Sequence, residues 1–382
     1  MQKKALVVGC GLSGATAARL LAEKGYQVTI WERRNHIGGN MYDYYDEYGI
    51  PVHKYGPHTF HTNDEDVYRF ICKYGEWEEY RLMCGAVIDG ITTPTPFNFT
   101  TIDQFYGKEE AEQLKQALKD EYPNRTTVTV LEVLNSKNKL VKAYGEFLFK
   151  KDYSLYTAKQ WGLDPKDIDP SVLRRVPLRL GYEEGYFEDK YQLMPKGLYV
   201  DFFKNLLNHP NIEVKLNIDA LEHLQITDSK TVIDGKATDD LIIYTGAIDE
   251  LFNYQFGKLP YRSLTFDFKH SDSTNIQKYA VEAQPEHPEI TRIVEFKQMY
   301  PNRTYQGTTW EEERSEAYSQ DKHNEPYYPV LTEVSQKIYK QYLNLANQID
   351  NLKLYGRLAT FKYLNMDQII KQNVERLLIV IK

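Results

Sequence analysis

The sequence predicts an α/β fold built on a parallel sheet, and three observations carry that prediction. The first is a strand–turn–helix–strand unit at the amino end. Ala5-Leu6-Val7-Val8 reads as a short buried strand. Ala15 to Lys24 joins strong helix formers to an apolar stripe, Gly25 stops it, and Gln27 to Trp31 is a second strand. The second observation is the turn between them, Gly9-Cys10-Gly11-Leu12-Ser13-Gly14, with an acid, Glu32, closing the second strand. The third is the return of apolar strands much later, at Asn211 to Leu216, Leu241 to Tyr244 and Leu352 to Arg357. The parallel domain is therefore expected to be discontinuous in sequence, drawing on residues 1–75, 196–250 and 350–382.

The glycine turn has a physical reading. Gly9 permits a tight turn, Gly11 lets backbone approach a pyrophosphate, and Gly14 lets helix and strand pack closely. The helix start offers free N–H groups and a positive dipole end to that pyrophosphate. Glu32 stands about 20 residues on, where a carboxylate binds a ribose hydroxyl. Without a ligand the same pattern would be a plain βαβ unit. After Glu32 come Arg33-Arg34-Asn35-His36-Ile37-Gly38-Gly39-Asn40. A second Gly-Gly there is more than NAD needs. It suits FAD lying extended along the backbone, in a Rossmann-like domain of glutathione-reductase type; the plainer reading of Gly38-Gly39 is a turn.

Composition narrows the class. The chain has 382 residues, too many for one simple core, so two or three lobes are expected. With 42% hydrophobic and 26% charged residues it reads as an ordinary soluble globular chain. A net charge of −7 indicates no broad basic face for nucleic acid. The 31 tyrosines serve packing, or a polar aromatic cleft that stacks a base and donates to phosphates. Cys10, Cys72 and Cys84 have no metal spacing, and an odd count of three argues for reduced thiols and a cytoplasmic location. No stretch is apolar enough to span a membrane, and the first apolar run reads as a strand rather than a signal peptide.

Along the chain, Val52 to Thr62 is a strand entering a tight loop with His58 and His61 three apart. Two histidines without a third ligand make a poor metal site, and a loop presenting His to a flavin edge fits better. Ile102 to Lys119 and Val130 to Lys150 read as helices of an insertion covering 100–180. Gly162, Pro165 and Pro170 suggest a long mobile loop, ending at Arg174-Arg175-Val176-Pro177. Gly197 to Leu207 and Thr332 to Asn347 are further helices, and a last helix starts near Met366. Leu264 to Lys269, Ile290 to Lys297 and Thr304 to Trp310 alternate like antiparallel strands. They form, with 76–99 and 181–195, a sheet domain over 260–330.

The fingerprint with Glu32 and Gly38-Gly39-Asn40 resembles the flavoprotein group that includes amine oxidases. Narrower matches are Tyr55-Gly56-Pro57-His58-Thr59-Phe60-His61-Thr62, Tyr156-Thr157-Ala158-Lys159-Gln160-Trp161-Gly162, Gly356-Arg357-Leu358-Ala359-Thr360 and Tyr363 to Gln368. Together they resemble the bacterial UDP-galactopyranose mutases along essentially the whole chain. That resemblance implies an FAD domain, a helical domain and a six-stranded antiparallel substrate sheet, in a cytoplasmic homodimer. It implies an isomerase that interconverts UDP-galactopyranose and UDP-galactofuranose for cell-surface polysaccharide. Reduced FAD would attack the anomeric carbon through N5, kept reduced by a donor such as NAD(P)H. A leaving diphosphate needs fixed positive charge, which fits the lack of a Ser–His–Asp or paired-carboxylate signature.

By resemblance Arg175 and Arg292 bind the diphosphate and are catalytic, together with His61 beside the flavin. Tyr186, Tyr363 and one of Tyr327 or Tyr328 match diphosphate tyrosines; Tyr156 matches the uracil-stacking residue, and Trp161 the tryptophan of a mobile lid. Arg262 is a further substrate-side candidate, and Asn365 stands where many relatives carry an acid. The cofactor would be held by Gly9, Gly11, Leu12, Ser13, Gly14, Glu32, Arg33, Gly38, Gly39, Asn40, His58, Thr59, Val214, Arg357, Met366, Asp367, Gln368 and Ile369. An FAD-dependent amine oxidase-like enzyme would share the fingerprint but want an apolar tunnel. A NAD-dependent dehydrogenase and a non-catalytic flavin module are the other readings.

Overall fold

The computed structural model describes residues 2–162, 177–227, 229–322 and 324–380. Arg175 and the part of the expected loop beyond Gly162 lie outside the described residues, while its start, Thr157 to Trp161, is helical rather than loop. The fold is organised by two sheets joined by a helical insertion.

The first sheet has five parallel strands in the order Ile212–Leu216, Gln27–Glu32, Lys4–Val8, Leu241–Tyr244 and Leu352–Leu354. Both faces are covered, which is why these strands read as apolar runs rather than alternations. Helix Leu12–Glu23 packs between Tyr199–Leu207 and Met366–Val380. Val7, Ala15, Leu21, Ile30 and Phe203 are wholly buried in that core. The chain steps outward on one side of Lys4–Val8 and then returns on the other. That reversal opens a crevice at the carboxyl ends of Lys4–Val8 and Leu241–Tyr244, the place where such sheets take ligands. The last strand is shorter than expected, because Gly356, at φ +79°, turns the chain into the helical turn Gly356–Ala359.

The second sheet corrects the expectation of six antiparallel strands. It has seven among the described residues, in the order Tyr328–Pro329, Tyr261–Ser271, Thr308–Ala317, Ile290–Glu295, Val281–Ala283, Cys84–Ile88 and Ile91–Thr95. Val281–Ala283 and Cys84–Ile88 run parallel. The hairpin at 84–95 arrives from far upstream, so no tight turn dictates its direction. Strand Thr308–Ala317 runs well beyond the expected Thr304 to Trp310, because Glu311 and Glu313, acids that break the apolar alternation in sequence, nonetheless face inward and are buried. Tyr191–Pro195 pairs instead with Phe60–Thr62 and Trp77–Glu79 in a small sheet of its own.

Each of the two long helices expected in the insertion is divided. Phe99–Phe105 and Lys108–Glu121 meet at Gly107. Val130–Leu134 begins with a Thr129/Glu132 capping box, and Lys139–Leu148 begins on the Asn138 side chain. A π-helical turn, Phe149–Tyr153, then leads directly into Ser154–Trp161. No helix among the described residues is long and apolar enough to cross a membrane.

Candidate active site

Two glycine turns meet at the crevice of the parallel sheet. Gly9 has φ +96°, and a Cβ there would run into Thr245 Oγ1. A Cβ on Gly14 would overlap the Gly9 carbonyl oxygen, so helix and turn touch as the fingerprint requires. A Cβ on Gly39 would lie 2.7 Å from Gly11 Cα, and Gly11 pairs with Gly38 in a parallel bridge. The helix Leu12–Glu23 starts at Gly11 with no side-chain cap and no acid in its first turn, so its N–H groups remain free for an anion. Glu32 is buried and accepts from Cys10 N at 2.7 Å and Arg34 N at 2.9 Å, which ties the turn to the second strand.

The resulting cleft runs from Trp31, Arg33 and Glu250 at one end to His58, Arg357 and Met366 at the other. Arg34 lies along it, stacked on Tyr55 at 4.4 Å and donating to Asn40 Oδ1 at 2.9 Å. Its Nη1 is buried and has no acceptor among the described residues. A long cleft floored by glycine backbone, with a free helix start and one guanidinium nitrogen without an acceptor among the described residues, fits a dinucleotide with a pyrophosphate at its middle.

The His58 end is held from behind. His58 N donates to His53 Nδ1 at 2.9 Å, so the hydrogen of that ring sits on Nε2, facing Tyr300 Oη at 2.9 Å. Burial pulls His53 well below the usual range and keeps it neutral. His58 is pushed down to about 4, by burial first and then by Arg357 and Arg292. Gly56, at φ +88°, lets this loop lie against Phe266 and Glu313 of the large sheet.

Beyond His58 and Arg357 the cleft passes into an aromatic cluster. Arg357 stacks on Tyr363 at 4.8 Å, Tyr363 meets Tyr328 at 6.1 Å, and Tyr328 meets Trp161 edge-on at 5.1 Å. Leu264, Phe266, Tyr327 and Tyr55 complete the cluster. Arg292 points into the same region from strand Ile290–Glu295, its Nε and Nη2 both donating to Glu313 Oε2, at 2.8 and 2.6 Å. Burial opposes the charge on Arg292, but the adjoining Glu313 outweighs it and the guanidinium stays charged. Tyr156 lies within electrostatic range of that guanidinium, and burial raises its phenol well above the usual range.

Most of the expected cofactor residues line the cleft: Gly9, Gly11, Leu12, Ser13, Gly14, Glu32, Arg33, Gly38, Gly39, Asn40, His58, Arg357, Met366 and Ile369. Thr59, Val214, Asp367 and Gln368 do not. Thr59 is buried in the loop, Val214 sits in the edge strand, and Asp367 accepts from Thr62 Oγ1. Gln368 Oε1 accepts from Asn365 N, fixing the start of the last helix. His61 does not reach the cleft. In strand Phe60–Thr62 its neighbours point into the core, so His61 faces the other way, onto Asp189 at 3.0 Å and against the Phe187 ring. Tyr186 packs edge-on against that Phe187. Arg262 is turned onto backbone: its Nε donates to Gln160 O and its Nη2 to Lys159 O. Residues not anticipated also line the cleft, among them Ile218 to Leu221, Thr245 to Ala247, Glu250 and Glu325. The small-residue turn after Leu241–Tyr244 signalled the second group; nothing local signalled Glu325, which reaches Arg33 and Arg34 from a connection between strands of the other sheet.

Comparison with known proteins agrees with this geometry. Residues 151–363 match the family model for UDP-galactopyranose mutase, and residues 7–74 match an NAD(P)-binding Rossmann-like domain. The chain is 38% identical to the dTDP-fucopyranose mutase of Escherichia coli, over 97% of each chain. It is 35% identical to the UDP-galactopyranose mutase of Mycoplasma genitalium, over 97% of this chain and 93% of the relative. Likeness to an L-amino-acid oxidase of Sistrurus catenatus edwardsii is 23% and covers 48% of this chain. A crystal structure of reduced UDP-galactopyranose mutase superposes with a TM-score of 0.73 at 15% identity, covering 100% of this chain and 94% of that one. FAD is the cofactor, and the chain is an enzyme that belongs to the UDP-galactopyranose mutase family.

Proposed function

We propose that this enzyme interconverts the pyranose and furanose forms of a nucleoside-diphosphate sugar, with UDP-galactopyranose as substrate. The observation that carries the reading is the unbroken run of contacts from His58 and Arg357, at the cofactor, through Tyr363 and Tyr328 to Trp161, with Arg292 facing the same region. Reduced FAD, when bound, supplies an electron-rich nitrogen that can displace the diphosphate at the anomeric carbon. The chain's own residues bind and neutralise. Arg292 presents a fork to the diphosphate, and Glu313 holds that fork in one orientation. Tyr186, Tyr363 and one of Tyr327 or Tyr328 donate to phosphate oxygens, while Tyr156 and Trp161 take the base. The role of Arg175 as a second diphosphate arginine rests on resemblance alone. So do a cytoplasmic homodimer, reduction by NAD(P)H and supply of furanose to surface polysaccharide.

A second substrate is favoured by two observations. The relative of 38% identity is named for dTDP-fucopyranose, and fucose is galactose without its 6-hydroxyl. Asn365 is neutral where many relatives carry an acid, so if that position orients a sugar hydroxyl, as the resemblance implies, it does so with an amide and without charge. The test reduces the purified protein with dithionite and assays both furanose nucleotides by separating them from their pyranose forms. Turnover of either sugar by the reduced protein, with at least about a tenfold preference, assigns the substrate. Equal turnover by oxidised protein, or none with either sugar, overturns the reading.

A further inference from the structure

Helix Ser154–Trp161 carries Tyr156 and Trp161, yet it has only eight residues and follows a π-helical turn. A helix that short is marginal on its own in water, so its pose must come from tertiary contacts. Those contacts are reciprocal. From the sheet, Arg262 Nε donates to Gln160 O at 2.9 Å and Arg262 Nη2 to Lys159 O at 3.3 Å, while Ser315 Oγ donates to Gln160 O at 2.7 Å. These are last-turn carbonyls, which lack partners within the helix and lie at the negative end of its dipole. From the helix, Lys159 Nζ donates to three backbone carbonyls of the connection between Val281–Ala283 and Ile290–Glu295: Gln284 O at 2.7 Å, Ile290 O at 2.8 Å, and His287 O. Gly162, at φ +64°, ends the helix beside the Arg262 guanidinium.

We propose that Lys159 and Arg262 are positioning residues, two cations that lock this helix onto the large sheet from opposite sides and so fix where Tyr156 and Trp161 meet the nucleotide. Lys159 is not a diphosphate ligand. An ammonium has three hydrogens, and all three of Lys159 are spent on carbonyls. Burial pulls Lys159 down to about 8, which Asp152 offsets in part, so the ammonium sits there against a desolvation cost that the three acceptors make good. Arg262 is buried, and its Nε and Nη2 are turned to the helix end and to Ser315 Oγ. Gln160 completes the lock by donating to Tyr328 Oη at 2.7 Å, which couples the helix to the tyrosines of the cleft.

The inference rests on the proposed function only for what Tyr156 and Trp161 contact; the lock itself is tested without turnover. Lys159→Met, Lys159→Arg and Ser315→Ala are compared with wild type in the FAD-loaded protein. Lys159→Met is expected to speed amide exchange at Ala158 to Gly162 by at least about tenfold, weaken UDP and dTDP binding in calorimetry, and leave FAD content unchanged. In turnover it should raise KM about tenfold with kcat within about threefold, the signature of lost uniform binding. Lys159→Arg should recover part of each change, and Ser315→Ala should show a smaller loss of the same kind. Unchanged exchange and nucleotide affinity in Lys159→Met overturns the lock. So does a fall in kcat at constant KM, which would mean that the cation acts on the transferring group. If wild type turns over neither sugar, the functional reading fails, while exchange and calorimetry still decide the lock.

Discussion

At the scale of single residues, the large sheet buries more charge than its strands suggest. Glu311 is fully buried, and neither carboxylate oxygen has a hydrogen-bond partner among the described residues. Burial, with Glu313 alongside, raises its carboxyl well above the usual value, and Arg292 works in the opposite direction. The folded protein therefore keeps a proton that the unfolded chain releases above about 4.5. Stability from this group is complete below that value and falls as pH rises toward its folded pKa. Glu311→Gln should flatten the slope and add about 1–3 kcal/mol at pH 8 relative to pH 5, read from urea unfolding of the apoprotein at both pH values. Identical slopes in the two proteins would sink the argument. Arg292 invites a second substitution. Arg292→Lys keeps the charge on Glu313 matched but cannot reproduce the fork. A loss of about 10- to 100-fold in kcat is expected, with FAD content unchanged. Near-normal kcat would remove Arg292 from the diphosphate site.

At the scale of elements, local chemistry was legible and long-range chemistry was not. The turn Gly9 to Gly14 could be read because each glycine answers a constraint set within its own βαβ unit, and the structure meets those constraints at Thr245, at the Gly9 carbonyl and at Gly39. Gly14→Leu accordingly forces the helix Leu12–Glu23 away from the first strand, and the purified protein should lack flavin absorbance and take up no added FAD. A yellow Gly14→Leu protein would show that the close approach is not what seats the cofactor. Strand Thr308–Ala317 was harder to read. Glu311 and Glu313 alternate in phase with a buried face, yet their charge marks that face as solvent. Its length became visible only once Arg292 and the Tyr55–His58 loop supplied partners from elsewhere in the chain. Arg262 and Lys159 are of the same kind. An arginine or lysine in sequence signals a phosphate as well as it signals a carbonyl, and only the fold shows Lys159 spent on backbone and Arg262 Nε and Nη2 turned to the helix end. The parallel pairing of Val281–Ala283 with Cys84–Ile88 joins segments far apart in sequence, which no local period encodes.

At the scale of the whole molecule, the cofactor cleft is where distant parts of the chain meet. Its walls come from the amino-terminal fingerprint, from His58, from 218–221 and 244–250, from Glu325 to Tyr327 in the connection between two strands of the large sheet, and from 356–369. One of those meetings is electrostatic: Glu325 bridges Arg33 and Arg34, and so clamps the second sheet's connection onto the nucleotide domain. Burial works to raise the Glu325 carboxyl, but the two arginines outweigh it and hold it below the usual range, so the clamp is charged at neutral pH. Arg34 still has a buried donor without an acceptor among the described residues, a cost the anionic cofactor would relieve. A ligand that touches so many separate segments binds the folded chain and has little to bind in the unfolded one. FAD should therefore stabilise by mass action, by about 2.7 kcal/mol at a hundred times its Kd, and the melting temperature of the stripped protein should climb with the logarithm of added FAD. Arg34→Met should shift that titration to higher FAD, and ADP alone should give only part of the gain because it cannot reach His58 and Met366. Equal stabilisation by ADP and FAD would mean that the His58 end contributes nothing to binding. A melting temperature indifferent to FAD would mean that the cleft closes without it.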